Sequence, residues 1–139
     1  MSLSIRNQIP GTAVSVTPGE VMATVKVRLD GGQEITAAVT REAVEELGIF
    51  VGSSVRALFK STEVSLATGP VEGLSIRNQL PGTVTDVSTG GAMAGVKVSV
   101  DGGELTAVIT KDAVTELGLT SGSSVVALIK STEISLATS

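Results

Sequence analysis

At 139 residues the chain has the length of one ordinary domain, yet it holds only two aromatic residues, Phe50 and Phe59, and neither cysteine nor histidine. Those absences exclude disulfides, thiolate metal sites, cysteine nucleophiles and an imidazole general base, which removes most hydrolytic and zinc chemistry. A formal charge of -4, with no basic run, argues against nucleic acid as a partner, because phosphate affinity comes from clustered Lys and Arg.

Read in chain order, the sequence repeats itself. Leu3 to Gln8 returns as Leu74 to Gln79, and Lys60 to Glu63 returns as Lys130 to Glu133. With one residue dropped after the Asp-Gly-Gly turn, roughly two thirds of aligned positions agree, far above chance. The expected division is a first domain at 1–69, a linker at 70–73 rich in Gly and Pro, and a second domain at 74–139. Each copy is too small to bury much surface alone, so association is expected.

Within the first copy, Gly11 to Val16 and Val21 to Leu29 are rich in β-branched residues and predict strands separated by Pro18-Gly19. Asp30-Gly31-Gly32 supplies a tight turn, and Glu34 to Val39 predicts the returning strand. Thr40 suits a helix cap. Arg41 to Leu47 predicts a short helix with Ala43, Val44 and Leu47 on one face and Gly48 as its stop. Val55 to Phe59 and Val64 to Ala67 predict two further strands, and the second copy repeats the order through Ala137. The fold class is therefore all-β with short helices. Five strands and one helix per copy suit a small Greek-key barrel of the oligonucleotide/oligosaccharide-binding (OB) type, with an open five-stranded sheet as the alternative.

Eight of the ten cationic side chains pair between copies: Arg6 with Arg77, Lys26 with Lys97, Arg41 with Lys111, and Lys60 with Lys130. Lys26 and Lys97 fall in alternating strands and read as solvated. Arg6 lies in Ser-Ile-Arg-Asn-Gln, a run of donors without an acid, suited to hold an anion or simply to cap a strand. Thr40 and Thr110 stand where strand gives way to helix, where anion binding and plain N-capping look alike. Lys60 and Lys130 end apolar strands and precede Ser61 and Ser131. Three donor-rich spots, each present twice, point together to an oxyanion. Glu63 and Glu133 are the acidic exceptions, free to point away or to pair with Arg6-type residues. No activated nucleophile or poised acid and base accompanies them, so binding rather than catalysis is expected.

The openings Ser4 to Gly11 and Ser75 to Gly82, the Val-Thr-x-x-Ala at the helix start and the Lys-Ser-Thr-x-Val/Ile step resemble the Mop, or molbindin, domains, related to the TOBE domains of molybdate transporters and regulators. The resemblance covers nearly the whole chain and is close to the two-domain molbindins. It implies two tandem OB-type barrels with strands exchanged between domains, in a homotrimer that binds molybdate or tungstate between domains and needs no cofactor. By the same resemblance the ligand contacts are Ser4, Ile5, Arg6, Lys60 and Ser61, with Thr40 from a facing domain, and in the second copy Ser75, Ile76, Arg77, Lys130, Ser131 and Thr110. Ile5 and Ile76 replace the family's usual Ala at a position that offers a backbone N–H. Ala43 and Ala113 stand where some relatives have a Ser donor.

The leading reading is an intracellular molybdate store or buffer, with a self-assembling interaction module as the runner-up. A nucleic-acid barrel is disfavoured by charge and by the lack of stacking aromatics. The sequence shows no apolar span and no charged-then-apolar leader, so a cytoplasmic protein without membrane contact is expected.

Overall fold

The computed structural model describes residues 2–138, which form two five-stranded antiparallel sheets with two short helices. In the first copy these are β1 (Asn7–Pro18), β2 (Met22–Leu29), β3 (Glu34–Thr40), α1 (Arg41–Leu47), β4 (Ser54–Phe59) and β5 (Ser65–Ala67). The second copy gives β6 (Asn78–Thr89), β7 (Met93–Val100), β8 (Gly103–Thr110), α2 (Lys111–Leu117), β9 (Ser124–Ile129) and β10 (Ser135–Thr138). A single 3-10 turn, Ser61–Glu63 or Ser131–Glu133, sits between the last two strands of each copy. The sheets curl into two OB-like units, as the element pattern and the resemblance implied.

Strict alternation builds the core. In β2, Ala23, Val25, Val27 and Leu29 face inward while Met22, Thr24, Lys26 and Arg28 face outward, and each buried Val or Leu contributes about 1.5–3 kcal/mol. β1 begins at Asn7 rather than at Gly11, because Asn7 to Thr12 pair with β4 before β2 has joined the other side at Gly11. A Cβ on Gly11 would lie 2.7 Å from the Arg28 carbonyl oxygen, so this crossing needs a bare backbone. A bulge between Ala13 and Ser15 then bends the long strand into the neighbouring half of the barrel.

Helix α1 is bounded as its sequence dictates. The Thr40 hydroxyl accepts the Ala43 N–H at 3.1 Å, and Gly48 closes the helix in the left-handed region at φ 63°. Its apolar face is narrower than predicted: Val44 is buried, Ala43 is partly so, and Leu47 stays 42% exposed. Seven residues make barely two turns, and the core contact expected of Leu47 falls instead to Ile49, just past the helix.

Neither sheet is built from one copy alone. The order in one is β10-β4-β1-β2-β3 and in the other β5-β9-β6-β7-β8, so the copies trade their fifth strands. Ser135 to Thr138 pair with Leu58 to Val55, and Ser65 to Ala67 pair with Leu128 to Val126. β3 and β8 are left as open edges. Each is closed by an asparagine from the opposite copy. Asn7 donates to the Thr106 carbonyl at 2.9 Å and accepts the Thr106 N–H at 2.8 Å; Asn78 makes the same pair with Thr36 at 2.9 and 2.7 Å. A primary amide side chain presents the same donor and acceptor as a peptide group, so each Asn acts as one rung of a missing strand. Both are only 2% exposed. The hairpin turns also meet: a Cβ on Gly31 would lie 2.5 Å from the Asp101 carbonyl carbon and the Gly102 nitrogen.

Candidate functional site

The register of β1 against β4 explains why distant donors converge. Asn7 pairs with Phe59, so Arg6, just before β1, and Lys60, just after β4, leave the same end of the sheet side by side. Asn78 and Ile129 set Arg77 and Lys130 together in the same way. The result is a cleft of about 260 Å³ lined by Ser4, Ile5, Arg6, Lys60, Ser61 and Thr62. Its counterpart, of about 250 Å³, is lined by Ser75, Ile76, Arg77, Lys130, Ser131 and Thr132. Ten of the twelve residues singled out by the resemblance thus fall into two matched clefts.

Local hydrogen bonds shape the first wall. Arg6 Nε donates to the Ser4 carbonyl at 3.1 Å and one terminal nitrogen to the Leu3 carbonyl at 2.9 Å, folding the guanidinium back over its own segment. Gln8 Nε2 reaches back to the Ile5 carbonyl at 3.0 Å. Arg77 and Gln79 repeat the pattern through Ser75, Leu74 and Ile76. Because these bonds use only part of each guanidinium, the remaining N–H groups are available to a ligand.

The second wall answers the question left by Glu63. Its carboxylate accepts the Lys60 N–H at 3.0 Å, and its own N–H donates to the Lys60 carbonyl at 2.9 Å. Glu63 therefore fastens the turn rather than pairing with Arg6. Within each turn one group is left over: Ser61 Oγ and Ser131 Oγ are buried and have no hydrogen-bond partner among the described residues. Leaving a buried hydroxyl unpaired costs about 1–3 kcal/mol. The same cost appears at the same place twice.

Thr40 and Thr110 lie apart from these clefts. Both hydroxyls cap helices, and Thr40 lines a separate groove with Glu20, Val21, Arg41, Glu42 and Glu45. Lys26 and Lys97 are exposed on outward strand positions, as their alternation predicted. The residues that sequence reasoning missed are Asn7 and Asn78, read as part of a donor run but spent on closing sheet edges. Their signal was phase: Asn7 shares its face with the buried Ile9, Gly11 and Ala13. Among the described residues no cluster of three or more acidic side chains is placed to hold a metal ion, and no helix is long and apolar enough to cross a membrane.

The TOBE domain model matches residues 3–66 and again 74–136. The chain belongs to the TOBE-domain family. Among relatives of this TOBE chain, the molybdenum transport protein ModE of Azotobacter vinelandii is 38% identical over 99% of the chain and 51% of its own length. The molybdenum-pterin-binding protein MopB of Rhodobacter capsulatus is 38% identical over 96% of the chain and 50% of its own length. The TOBE chain thus spans about half the length of these relatives. A crystal structure of the cytoplasmic molybdate-binding protein ModG with molybdate bound is 39% identical and superposes over the whole of both chains with a TM-score of 0.97.

Proposed function

We propose that this TOBE protein binds molybdate, and tungstate as its near twin in size and charge, in the two clefts, and that it serves as an intracellular store or buffer rather than as a catalyst. The observation that carries the reading is the orphaned hydroxyl of Ser61, repeated at Ser131, beside an Arg and a Lys that have no acidic partner among the described residues. A group that lacks a protein partner but sits in an accessible cleft is completed by a ligand acceptor. Ser4, the Ile5 N–H, Arg6, Lys60 and Ser61 are then the donors of one site, with Ser75, the Ile76 N–H, Arg77, Lys130 and Ser131 those of the other. The likeness to ModG supports the ligand class.

The donor set explains the selectivity. Molybdate is a fully deprotonated dianion at neutral pH and takes donors only, whereas monohydrogen phosphate brings a proton that needs an acceptor, so a donor-rich site satisfies it less completely. Sulfate is a pure acceptor but smaller, so donors fixed by backbone would meet it with longer, weaker bonds. The sites are completed in a homotrimer, where a neighbouring copy presents Thr40 or Thr110 at its helix start. Val21, Phe50 and Val51 stay 72%, 67% and 63% exposed in the single chain, which favours further association.

Isothermal calorimetry on desalted protein tests the reading. Saturable heat with molybdate and tungstate, far exceeding that with sulfate, is expected; no heat with either metal oxyanion, or equal heat with sulfate, overturns it.

A further inference from the structure

The two clefts match in every lining residue type, but the residues behind them do not. Arg56 on β4 has Val126 as its counterpart on β9. Arg56 is half-buried on the outer face of its sheet, opposite Pro10 on β1 and Ala137 on the exchanged β10. One terminal nitrogen donates to Gln8 Oε1 at 3.1 Å, and this is its one hydrogen bond among the described residues; its Nε is buried and unpaired. Among the described residues no carboxylate forms a salt bridge with it. The other end of the same Gln8 amide donates to the Ile5 carbonyl at 3.0 Å, so a charged donor, an amide and the cleft wall form one chain. In the second copy Gln79 still reaches the Ile76 carbonyl at 2.9 Å, but Val126 offers it no donor.

We propose that Arg56 is a positioning residue for the first cleft and makes the two oxyanion sites of the chain unequal, the Arg6–Lys60 site being the tighter. This rests on the oxyanion reading above. The Ser4–Arg6 segment precedes β1 and has no strand partner, so its order depends on the Arg6 bonds to its own carbonyls and on Gln8. A guanidinium on Oε1 fixes which end of the carboxamide faces Ile5 and polarises the bond it donates. A wall ordered before the anion arrives loses less freedom on binding. The second wall has no such support.

Single-site forms make the comparison measurable. Arg77→Ala with Lys130→Ala silences the second cleft, and Arg6→Ala with Lys60→Ala silences the first. Molybdate calorimetry should then show the first cleft tighter by about tenfold, the effect of a partial loss of one charge-assisted hydrogen bond. Arg56→Val should remove that advantage, Arg56→Lys should keep part of it, and Val126→Arg should tighten the second cleft. The deciding measurement is a double-mutant cycle with Gln8→Ala. If Arg56 works through Gln8, Arg56→Val costs nothing further in the Gln8→Ala background. An undiminished effect there, showing that Arg56 acts as a bare charge, overturns the positioning role. Equal affinities in two sites that both bind molybdate, unmoved by Arg56→Val in a form that melts normally, overturn the inequality while leaving the oxyanion reading intact. Absence of molybdate heat from the unmodified protein overturns both.

Discussion

Two kinds of buried polar group occur in this molecule, and they have opposite bookkeeping. At the seam between copies, Asn7 and Asn78 each have donor and acceptor matched by the edge peptide of the other copy. In the clefts, the hydroxyls of Ser61 and Ser131 have no partner among the described residues. Both pairs sit close to the same sheet ends, and both arise from polar runs that look alike in sequence. A polar group that the fold satisfies holds the fold together, and one left unsatisfied in a cleft beside an Arg and a Lys is where we propose that the anion binds. The distinction is drawn by partners, not by residue type.

The comparison breaks if the clefts prove to be stabilising elements, and the largest effect expected tests this directly. Arg6→Ala or Lys60→Ala should each weaken molybdate binding by about 2–5 kcal/mol, the range for removing one partner of a desolvated charge pair. Light scattering should show the assembly unchanged. The double variant should be less than additive, because both cations act on one anion. A large loss of stability without anion would place these residues with the seam.

At the seam the reverse is expected. Asn7→Ala strands the N–H and carbonyl of Thr106 and should cost about 2–4 kcal/mol in urea unfolding, with or without molybdate present. A change confined to anion affinity would move Asn7 into the site.

Ser61→Ala sharpens the contrast most. It should weaken molybdate binding by about 1 kcal/mol yet leave anion-free stability unchanged or raised, since it deletes a hydroxyl whose burial has no compensation. Paired melting curves and titrations read the two effects in one protein. The smallest effect belongs to Lys26→Ala, which removes an equal charge from a solvated strand face and should shift binding by about a few tenths of a kcal/mol, fading with added salt. If Lys26→Ala matched Lys60→Ala, the clefts would be sensing general charge.

Local structure was legible because it is locally encoded. The Asp30-Gly31-Gly32 turn, the Thr40 cap, the Gly48 stop and the alternation of β2 lie within a few residues of what they determine. The start of β1 was hidden because Pro10 interrupts the strand pattern while pairing only with β4 at Arg56. Leu47 failed for the opposite reason: it fits the helical period, but the helix ends before that side chain reaches the core. The convergence of Arg6 with Lys60 was readable only through family likeness, since it depends on the β1–β4 register across more than fifty residues of chain. Neither spacing nor composition carries register. The destination of the fifth strand was equally invisible to local reasoning, because Val64 to Ala67 fits a sheet edge in either copy.

That exchange has a consequence for how the chain would behave when cut. The residues from Gly69 to Gly73 lie outside every strand and helix, and most are exposed, so a protease can reach them. A nick there removes no rung from either sheet, because β5 stays paired with β9 and β10 with β4. The two fragments should run as one particle until denatured. Their peptide connection matters earlier, during synthesis, when it holds each half at roughly millimolar effective concentration relative to the strand it must receive. Covalent continuity is thus a device for pairing the right halves in a crowded cell, and mechanical integrity afterwards rests on the interlocked strands.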